Sequence, residues 1–513
     1  MDKRRTDFLK IIIVGIPLAF IAWAVLLVLA AYLTHDPYIS MYSSIALTIA
    51  IVIVYIYLSI KHAPKIGATI EDSEADFKTS EGLFKCGDCG CESTVEEAFR
   101  KIKKSGLSGN TKMLCPECWS KEYIAMSKVS FTLSGIAFAG GLIIDYIDPG
   151  NVLAAILINF VLIYIFMLTT IIPHELGHAI AGKVMGYRVF RVIIGYGQVL
   201  FTRRFLGCEW EFRPFPIGGV TLIATRSTRS YRLRRFVMLL AGPAVNVLFI
   251  LLLFGILPAD GSLVSYSFHG MAPALDFFLA NVVLLVFNLW PHKITSSLGV
   301  TENDGLALIS IPLSKLKQIE DQLAAFYFYS SQELSRQMQY VQSVRVCEEG
   351  LGLYPEAMLL RMQLGIVYLR MNEYEKARVI FTELLQHEEI KPGQKMIILN
   401  NIAYTNILSG RADLAEEANR YSEEAYKNLP WVPAVKGTRG AVLVETGHVD
   451  EGLALLREAY EAYSEPEAKA LNAAHIALGE KLRGNTEESM RYLRVVQTLD
   501  PQCQLLNRVI AEL

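Results

Sequence analysis

His174-Glu-Leu-Gly-His178 stands at the end of an apolar run from about Val152 to Ile172. On a helix, histidines at i and i+4 share one face and can hold one metal ion. Glu175 beside them is placed to take a proton from a water bound there. The location sharpens this reading. The run is long enough to cross a bilayer, at roughly 20 residues per span. Ionisable groups within such a segment are costly unless something compensates them. A set satisfied only by neighbouring helices is the plainer alternative, and the cost of charge in lipid favours the metal.

A second group of metal-binding residue types lies upstream. Of eight cysteines, five fall between Cys86 and Cys118. Cys86-Gly-Asp-Cys89 and Cys115-Pro-Glu-Cys118 form two C-x-x-C pairs separated by 25 residues. Four thiolates so spaced suit a tetrahedral structural zinc, with Cys91 able to replace Cys89. A redox dithiol and free buried thiols are the rival readings. A small, apolar-poor insert of this kind needs a staple to fold alone.

The elements that must position these residues follow from the apolar pattern. The chain has 513 residues, of which 52% are hydrophobic, and a formal net charge of −2 that gives no sign of nucleic-acid binding. All the long apolar runs lie in residues 1–310, while residues 320–513 are polar and helical in pattern. Six spans are expected, at about 10–33, 41–60, 129–147, 152–182, 235–257 and 275–290, the third and the last being short. Lys3, Arg4 and Arg5 place the N-terminus in the cytoplasm, and the distribution of Lys and Arg over later loops agrees at each turn. The expected fold is mainly α, a polytopic bundle with cytoplasmic N- and C-termini. Its parts are two N-terminal helices (1–60), a zinc-ribbon-like insert (61–128), a membrane core (129–310) and a cytosolic repeat domain (320–513).

A catalytic zinc needs a third protein ligand and keeps a position open for water. Ala241-Gly-Pro-Ala-Val-Asn246 lies inside the fifth span, and Asn288-Leu-Trp-Pro291 ends the sixth, with Asp304-Gly305 farther along the chain. With H-E-x-x-H, these ordered segments resemble the site-2 protease family of intramembrane zinc metalloproteases, over roughly residues 150–310. The resemblance implies that His174, His178 and Asp304 bind zinc and that Glu175 is the general base. It also implies that Asn246 sits near the site, at the substrate backbone or the oxyanion. In the family the Asp-Gly pair follows the Asn-Pro segment within a few residues, whereas here His292 to Asn303 intervene. Glu302 and His292 are therefore alternatives for the third ligand, while Asp276 and Asp260 fall on the other side of the membrane. A solvated helix N-cap is the plain alternative for Asp304, and interhelical hydrogen bonding alone is that for Asn246.

Between Tyr187 and Thr225 the residues look like strands punctuated by Gly195 and Gly197. Arg213-Pro-Phe-Pro-Ile-Gly-Gly219 is similar to the glycine-containing loop that follows the catalytic helix in that family. A membrane-associated β-hairpin beside the zinc is expected, offering an edge to an extended substrate; a cytosolic hairpin is the alternative. Farther on, Asn372-Glu-Tyr-Glu-Lys-Ala377, Gly410-Arg-Ala-Asp-Leu-Ala415, Gly447-His-Val-Asp-Glu-Gly452 and Gly484-Asn-Thr-Glu-Glu-Ser489 recur at intervals of 38, 37 and 37 residues. This resembles a tetratricopeptide-type α-solenoid, whose concave face commonly holds peptides.

The activity expected is that of a zinc endopeptidase cleaving transmembrane protein substrates near the cytoplasmic face. One catalytic and one structural zinc are expected, together with contact to membrane lipid and a cytosolic peptide or protein partner at the repeats. A catalytically inactive membrane scaffold is the alternative. A transporter is not favoured, because no pair of broken helices or repeated halves appears.

Overall fold

The computed structural model describes residues 79–513 except 80–81, 97–98, 104–110, 198, 257–270, 297–298, 389, 464, 502, 504 and 513. The two expected N-terminal spans and Asp260 lie outside the described residues. The described chain is mainly helical and divides into two compact units, one of residues 124–315 and the other of residues up to 123 together with 316–513.

Three helices of the described chain are long and apolar enough to cross a membrane: Pro116–Ile147 (α1), Val152–Val184 (α2) and Tyr231–Ile256 (α3). Asn151 starts α2 by accepting hydrogen bonds from the Leu153 and Ala154 amides, two of the donors that a helix start leaves without partners. The apolar helix Pro273–Leu289 (α4) has 17 residues, fewer than a perpendicular crossing takes. It corresponds to the last expected span and packs on α2 and α3. Polar links join these helices where lipid offers no partner. Asn246 Nδ2 donates to Asn281 Oδ1 at 3.1 Å, and Asn159 Oδ1 accepts from the Ala272 amide at 2.9 Å.

The segment after α2 forms more than a hairpin. The first strands among the described residues are β1 (Phe84–Lys85), β2 (Glu92–Ser93), β3 (Arg100–Lys103) and β4 (Thr111–Leu114); this segment adds β5 (Arg188–Tyr196), β6 (Phe201–Phe205), β7 (Cys208–Phe212) and β8 (Phe215–Ala224). The last four make one sheet of order β6-β7-β5-β8, in which β5 and β7 run parallel. The extra strands arise because β7 pairs with both β5 and β6, which alternation along the sequence does not encode. Val189, Val192, Ile194 and Trp210 of the sheet cluster with Ile171 and Ala179 of α2, which seats the sheet on the helix bearing His174. A small hairpin, Lys293–Ser296 (β9) with Gly299–Glu302 (β10), precedes the helix Asp304–Leu313 (α5).

The second unit is built from helix pairs, the first being Leu316–Arg336 (α6) with Tyr340–Leu353 (α7). Then come Met358–Arg370 (α8) with Tyr374–Leu385 (α9), and Pro392–Leu408 (α10) with Ala415–Asn428 (α11). Pro433–Glu445 (α12) with Val449–Ala462 (α13), and Pro466–Leu482 (α14) with Thr486–Leu499 (α15), complete the pairs, and Leu506–Glu512 (α16) follows them. The recurring turn positions Asn372, Gly410, Gly447 and Gly484 all take a left-handed backbone, with φ from +60° to +89°. The pair α6–α7 turns at Met338 in the same conformation, φ +57°. A methionine there hides the repeat from a reading that looks for glycine or asparagine.

His475, on α14, is buried to 2% exposure, with Nε2 3.3 Å from the Tyr404 hydroxyl. Burial, aided by the positive charge of Arg508, pushes its pKa down to about 3. The folded repeats therefore keep it neutral, while the unfolded chain protonates it below about 6.5. Their stability is full above that pH and falls below it, by about 2 kcal/mol at pH 5 from this group alone. Chemical denaturation at pH 7 and pH 5 should show this loss in the wild type and a smaller one in His475→Gln. An equal loss in both would assign the pH dependence to other groups.

Candidate metal centre

His174 and His178 face the same way from adjacent turns of α2, their rings edge-on with centroids 4.9 Å apart. Both are buried, at 5% exposure each. Asp304 approaches from the first turn of α5, its Oδ2 3.2 Å from His174 Nε2 and 3.3 Å from His178 Nε2. The three ligand atoms lie within 4.8 Å of one another.

The other ring nitrogens decide which lone pairs are available. His178 Nδ1 lies 2.9 Å from the Met238 carbonyl oxygen, which can only accept, so Nδ1 carries the proton and Nε2 is a free ligand. His174 Nδ1 lies 2.8 Å from Asn246 Oδ1, and the amide of Asn246 is oriented by its own donation to Asn281 Oδ1. Asn281 Nδ2 in turn donates to the Phe277 carbonyl at 2.9 Å. Both imidazoles are thus fixed with Nε2 toward Asp304, the arrangement that outer hydrogen bonds give to metal-ligating histidines. Asn246 was expected at the substrate; its fully buried carboxamide instead has both ends engaged behind His174.

Room for an ion is set by Gly242 on α3. A Cβ there would collide with His178 Nε2 and stand 2.6 Å from His174 Nε2. The absence of a side chain leaves open the space that both nitrogens face, so the residues fit a zinc held by two histidines and a carboxylate.

Glu175 is held by β8. Its Oε2 accepts a hydrogen bond from the Thr221 hydroxyl at 2.6 Å, and a Cβ on Gly219 would lie 2.6 Å from its Oε1. Among the described residues β8 is an edge strand of the sheet, so the general-base candidate sits beside a strand with one side unpaired there.

The stretch from His292 to Asn303 that intervenes before Asp304 is accommodated without displacing it. Residues 293–302 leave and return as β9–β10, and the Asn303 amide donates to the His292 carbonyl at 3.1 Å. Asn303 Nδ2 lies 3.2, 2.9 and 2.7 Å from the carbonyls of Phe287, Asn288 and Trp290 at the end of α4, while its Oδ1 caps α5 through the Leu306 amide. The hairpin is looped out at its base, and Asp304 starts α5, which packs against α4. The structure does not bring the alternative ligands to the group. Glu302 is exposed and accepts from Ser310, and His292 Nδ1 is 2.7 Å from the Trp290 carbonyl; Asp276, not among those alternatives, is buried in the first turn of α4.

In the second unit, β1 pairs with β2 around the turn Cys86–Cys91, and β3 pairs with β4 beside it. Cys86, Cys89, Cys91 and Cys115 gather with ligand atoms within 4.8 Å of one another. Cys118, expected as the fourth ligand, stays beside them, one turn into α1, in hydrogen-bonding contact with Cys89. Cys91 joins the gathered set, the turn closing through the Cys86 amide and the Cys91 carbonyl, 2.8 Å apart, while Cys118 also contacts Cys86 and Cys115. Burial raises the Cys86 thiol, but backbone amides of Cys115, Cys89 and Asp88 outweigh it and lower its pKa, whereas burial holds the Cys89 and Cys118 thiols above their ordinary value. Amides aimed at a sulfur are what a bound thiolate takes.

A histidine pair on an apolar helix, a carboxylate closing on it and a glutamate beside it define a metallopeptidase-type centre within a helical bundle. Residues 161–319 match the model of peptidase family M50. Similar relatives are named only as candidate zinc metalloproteases. One from Neisseria meningitidis serogroup A is 30% identical over 109 residues, covering 18% of this chain and 24% of the relative. One from Ralstonia nicotianae is 29% identical over 125 residues, with 20% and 27% covered. One from Chlamydia pneumoniae is 28% identical over 126 residues, with 20% of each covered. The chain thus spans about a quarter or less of their length. Among solved structures, a tetratricopeptide protein with an unusual peptide-binding site, YrrB, aligns to 36% of this chain and 90% of its own at 17% identity, with a TM-score of 0.23. MamA from Desulfovibrio magneticus aligns to 35% and 97% at 15% identity, with a TM-score of 0.23.

Proposed function

We propose that the chain is an intramembrane zinc endopeptidase that hydrolyses peptide bonds in or near transmembrane segments of membrane proteins. The observation that carries this reading is the convergence of His174 Nε2, His178 Nε2 and Asp304 Oδ2 on the space that Gly242 leaves, with both Nδ1 atoms already engaged. Zinc held there supplies Lewis acidity toward water and toward a peptide carbonyl. Glu175 accepts the proton of the attacking water and returns it to the leaving amine, a general acid–base role. Thr221 keeps the Glu175 carboxylate in one orientation through the 2.6 Å bond. Asn281 and Asn246 hold His174 in one tautomer.

A substrate helix has its carbonyls engaged internally and must unwind before hydrolysis. The unpaired side of β8, with Gly219 and Thr221 beside Glu175, supports capture of the unwound segment as an added strand. The Lys and Arg distribution supports a multi-pass arrangement with both termini and the repeats in the cytoplasm. The helix pairs then present a surface for a cytosolic peptide or protein. The gathered thiols support a second, structural zinc.

The test is metal removal. In proteoliposomes containing a panel of single-span membrane proteins, a chelator should stop cleavage and added zinc should restore it. His174→Ala should retain only the thiolate metal and cleave nothing. Cleavage that survives in His174→Ala would end this reading.

A further inference from the structure

The turn that follows β2 does not end in solvent. Ser93 Oγ donates to the Asn428 carbonyl at 2.7 Å, and the Thr94 amide and hydroxyl both donate to Asn428 Oδ1 at 2.8 Å. Asn428 is the last residue of α11, where helix carbonyls lack internal partners, so Ser93 caps that helix from outside the repeats. Val95, 2% exposed, is buried with Met396 and Leu399 of α10, Ala425 and Leu429 at the end of α11, and Val435 of α12. Phe99 meets Trp431 edge-on, with ring centroids 5.5 Å apart. The cysteine-rich insert and the repeats therefore share a hydrogen-bonded and apolar seam.

The strand that carries Ser93 leaves the thiol cluster directly. β1 and β2 are two residues each, too short to hold a hairpin by themselves in water. The closure comes from the Lys85–Glu92 ion pair at 2.9 Å, the packing of Phe84 with Phe99, Met113 and Leu114, and the Cys86–Cys91 turn, where the Cys115 amide points at Cys86 Sγ at 3.4 Å. Three of the four gathered cysteines lie in the six residues just before Glu92 and Ser93.

We propose that the cluster of Cys86, Cys89, Cys91 and Cys115 is a metal-operated latch: a thiophilic divalent cation, zinc first, holds Ser93–Val95 in the socket of α10, α11 and α12 and so sets the conformation of the repeat array. Binding in two coupled places is reciprocal. Metal strengthens seating of the turn, and seating strengthens metal binding by the same factor. The latch goes beyond the peptidase reading and does not depend on it; it rests on the thiolate metal.

The experiment uses the full chain in detergent with cobalt(II), whose thiolate charge-transfer absorption reports this cluster and not the His-Asp centre, and zinc as competitor. Zinc affinity at the cluster should fall about 10-fold or more in Asn428→Ala and in Val95→Asp. Hydrogen exchange at the Leu429 and Val432 amides should speed up on chelation and in Cys86→Ser/Cys115→Ser. Asn428→Ala keeps the apolar seam, so it guards against unfolding in Val95→Asp. Unchanged zinc affinity in Asn428→Ala, with exchange at Leu429 indifferent to metal, overturns the latch and leaves the structural zinc standing. A chain with no thiolate–cobalt absorption overturns both, whatever its peptidase activity.

Discussion

Glu175→Gln is expected to stop peptide hydrolysis while leaving both metals in place. The carboxamide has the shape of the carboxylate and can still accept the Thr221 hydroxyl hydrogen bond, so the tight fit against Gly219 is kept. It has no basic oxygen for a proton. Removing a positioned general acid–base costs on the order of 10²–10⁴-fold in rate. The ligand atoms belong to other residues, each with its own support from Met238, Asn246 or the start of α5. Zinc per chain and cleavage of the membrane-protein panel, measured on one preparation, read the two effects apart. Loss of cleavage with zinc unchanged supports the peptidase. A membrane scaffold that uses the site only as a structural clamp would behave as wild type, and cleavage at the wild-type rate would remove Glu175 from the chemistry.

What was legible in the sequence was whatever repeats locally or carries a fixed offset. His174 and His178 share a face because four residues make about one helical turn, and the repeat turns show as glycine or asparagine because the backbone there is left-handed. Asp304 was legible through its order after the Asn-Pro segment, and its offset was explained only by the β9–β10 hairpin. The partners Thr221, Asn281 and the Met238 carbonyl were not legible. Each comes from a different element than the group it orients, or acts through a backbone atom that any residue carries. Asn281 had one signal, a polar side chain in an apolar helix, which points to a partner without naming it. The seam between Val95 and the repeats joins segments that the whole membrane core separates in sequence, which no periodicity records.

The other large effect expected is loss of the helix-borne zinc in Gly242→Ala, a substitution that propensity alone would favour. Alanine in a helix interior is better than glycine by roughly 1 kcal/mol, and α3 keeps its hydrogen bonding in either case. The methyl group, however, has nowhere to go. It would collide with His178 Nε2 and lie 2.6 Å from both His178 Cε1 and His174 Nε2. The surroundings cannot easily give way, because the two rings are tied through Nδ1 to Asn246 and to the Met238 carbonyl, both on α3 itself. Moving α3 outward to relieve the methyl would stretch the same bonds that orient the ligands. Zinc affinity at His174, His178 and Asp304 should drop by on the order of 10²-fold, the upper range for disturbing a metal site from outside its ligands. The thiolate metal should remain. Metal analysis of purified chains should then read about one zinc in Gly242→Ala against about two in the wild type, with the helical signal intact and cleavage lost. Two zincs in the variant would mean that the ion does not occupy the space beside Gly242, and the assignment of that space would fall.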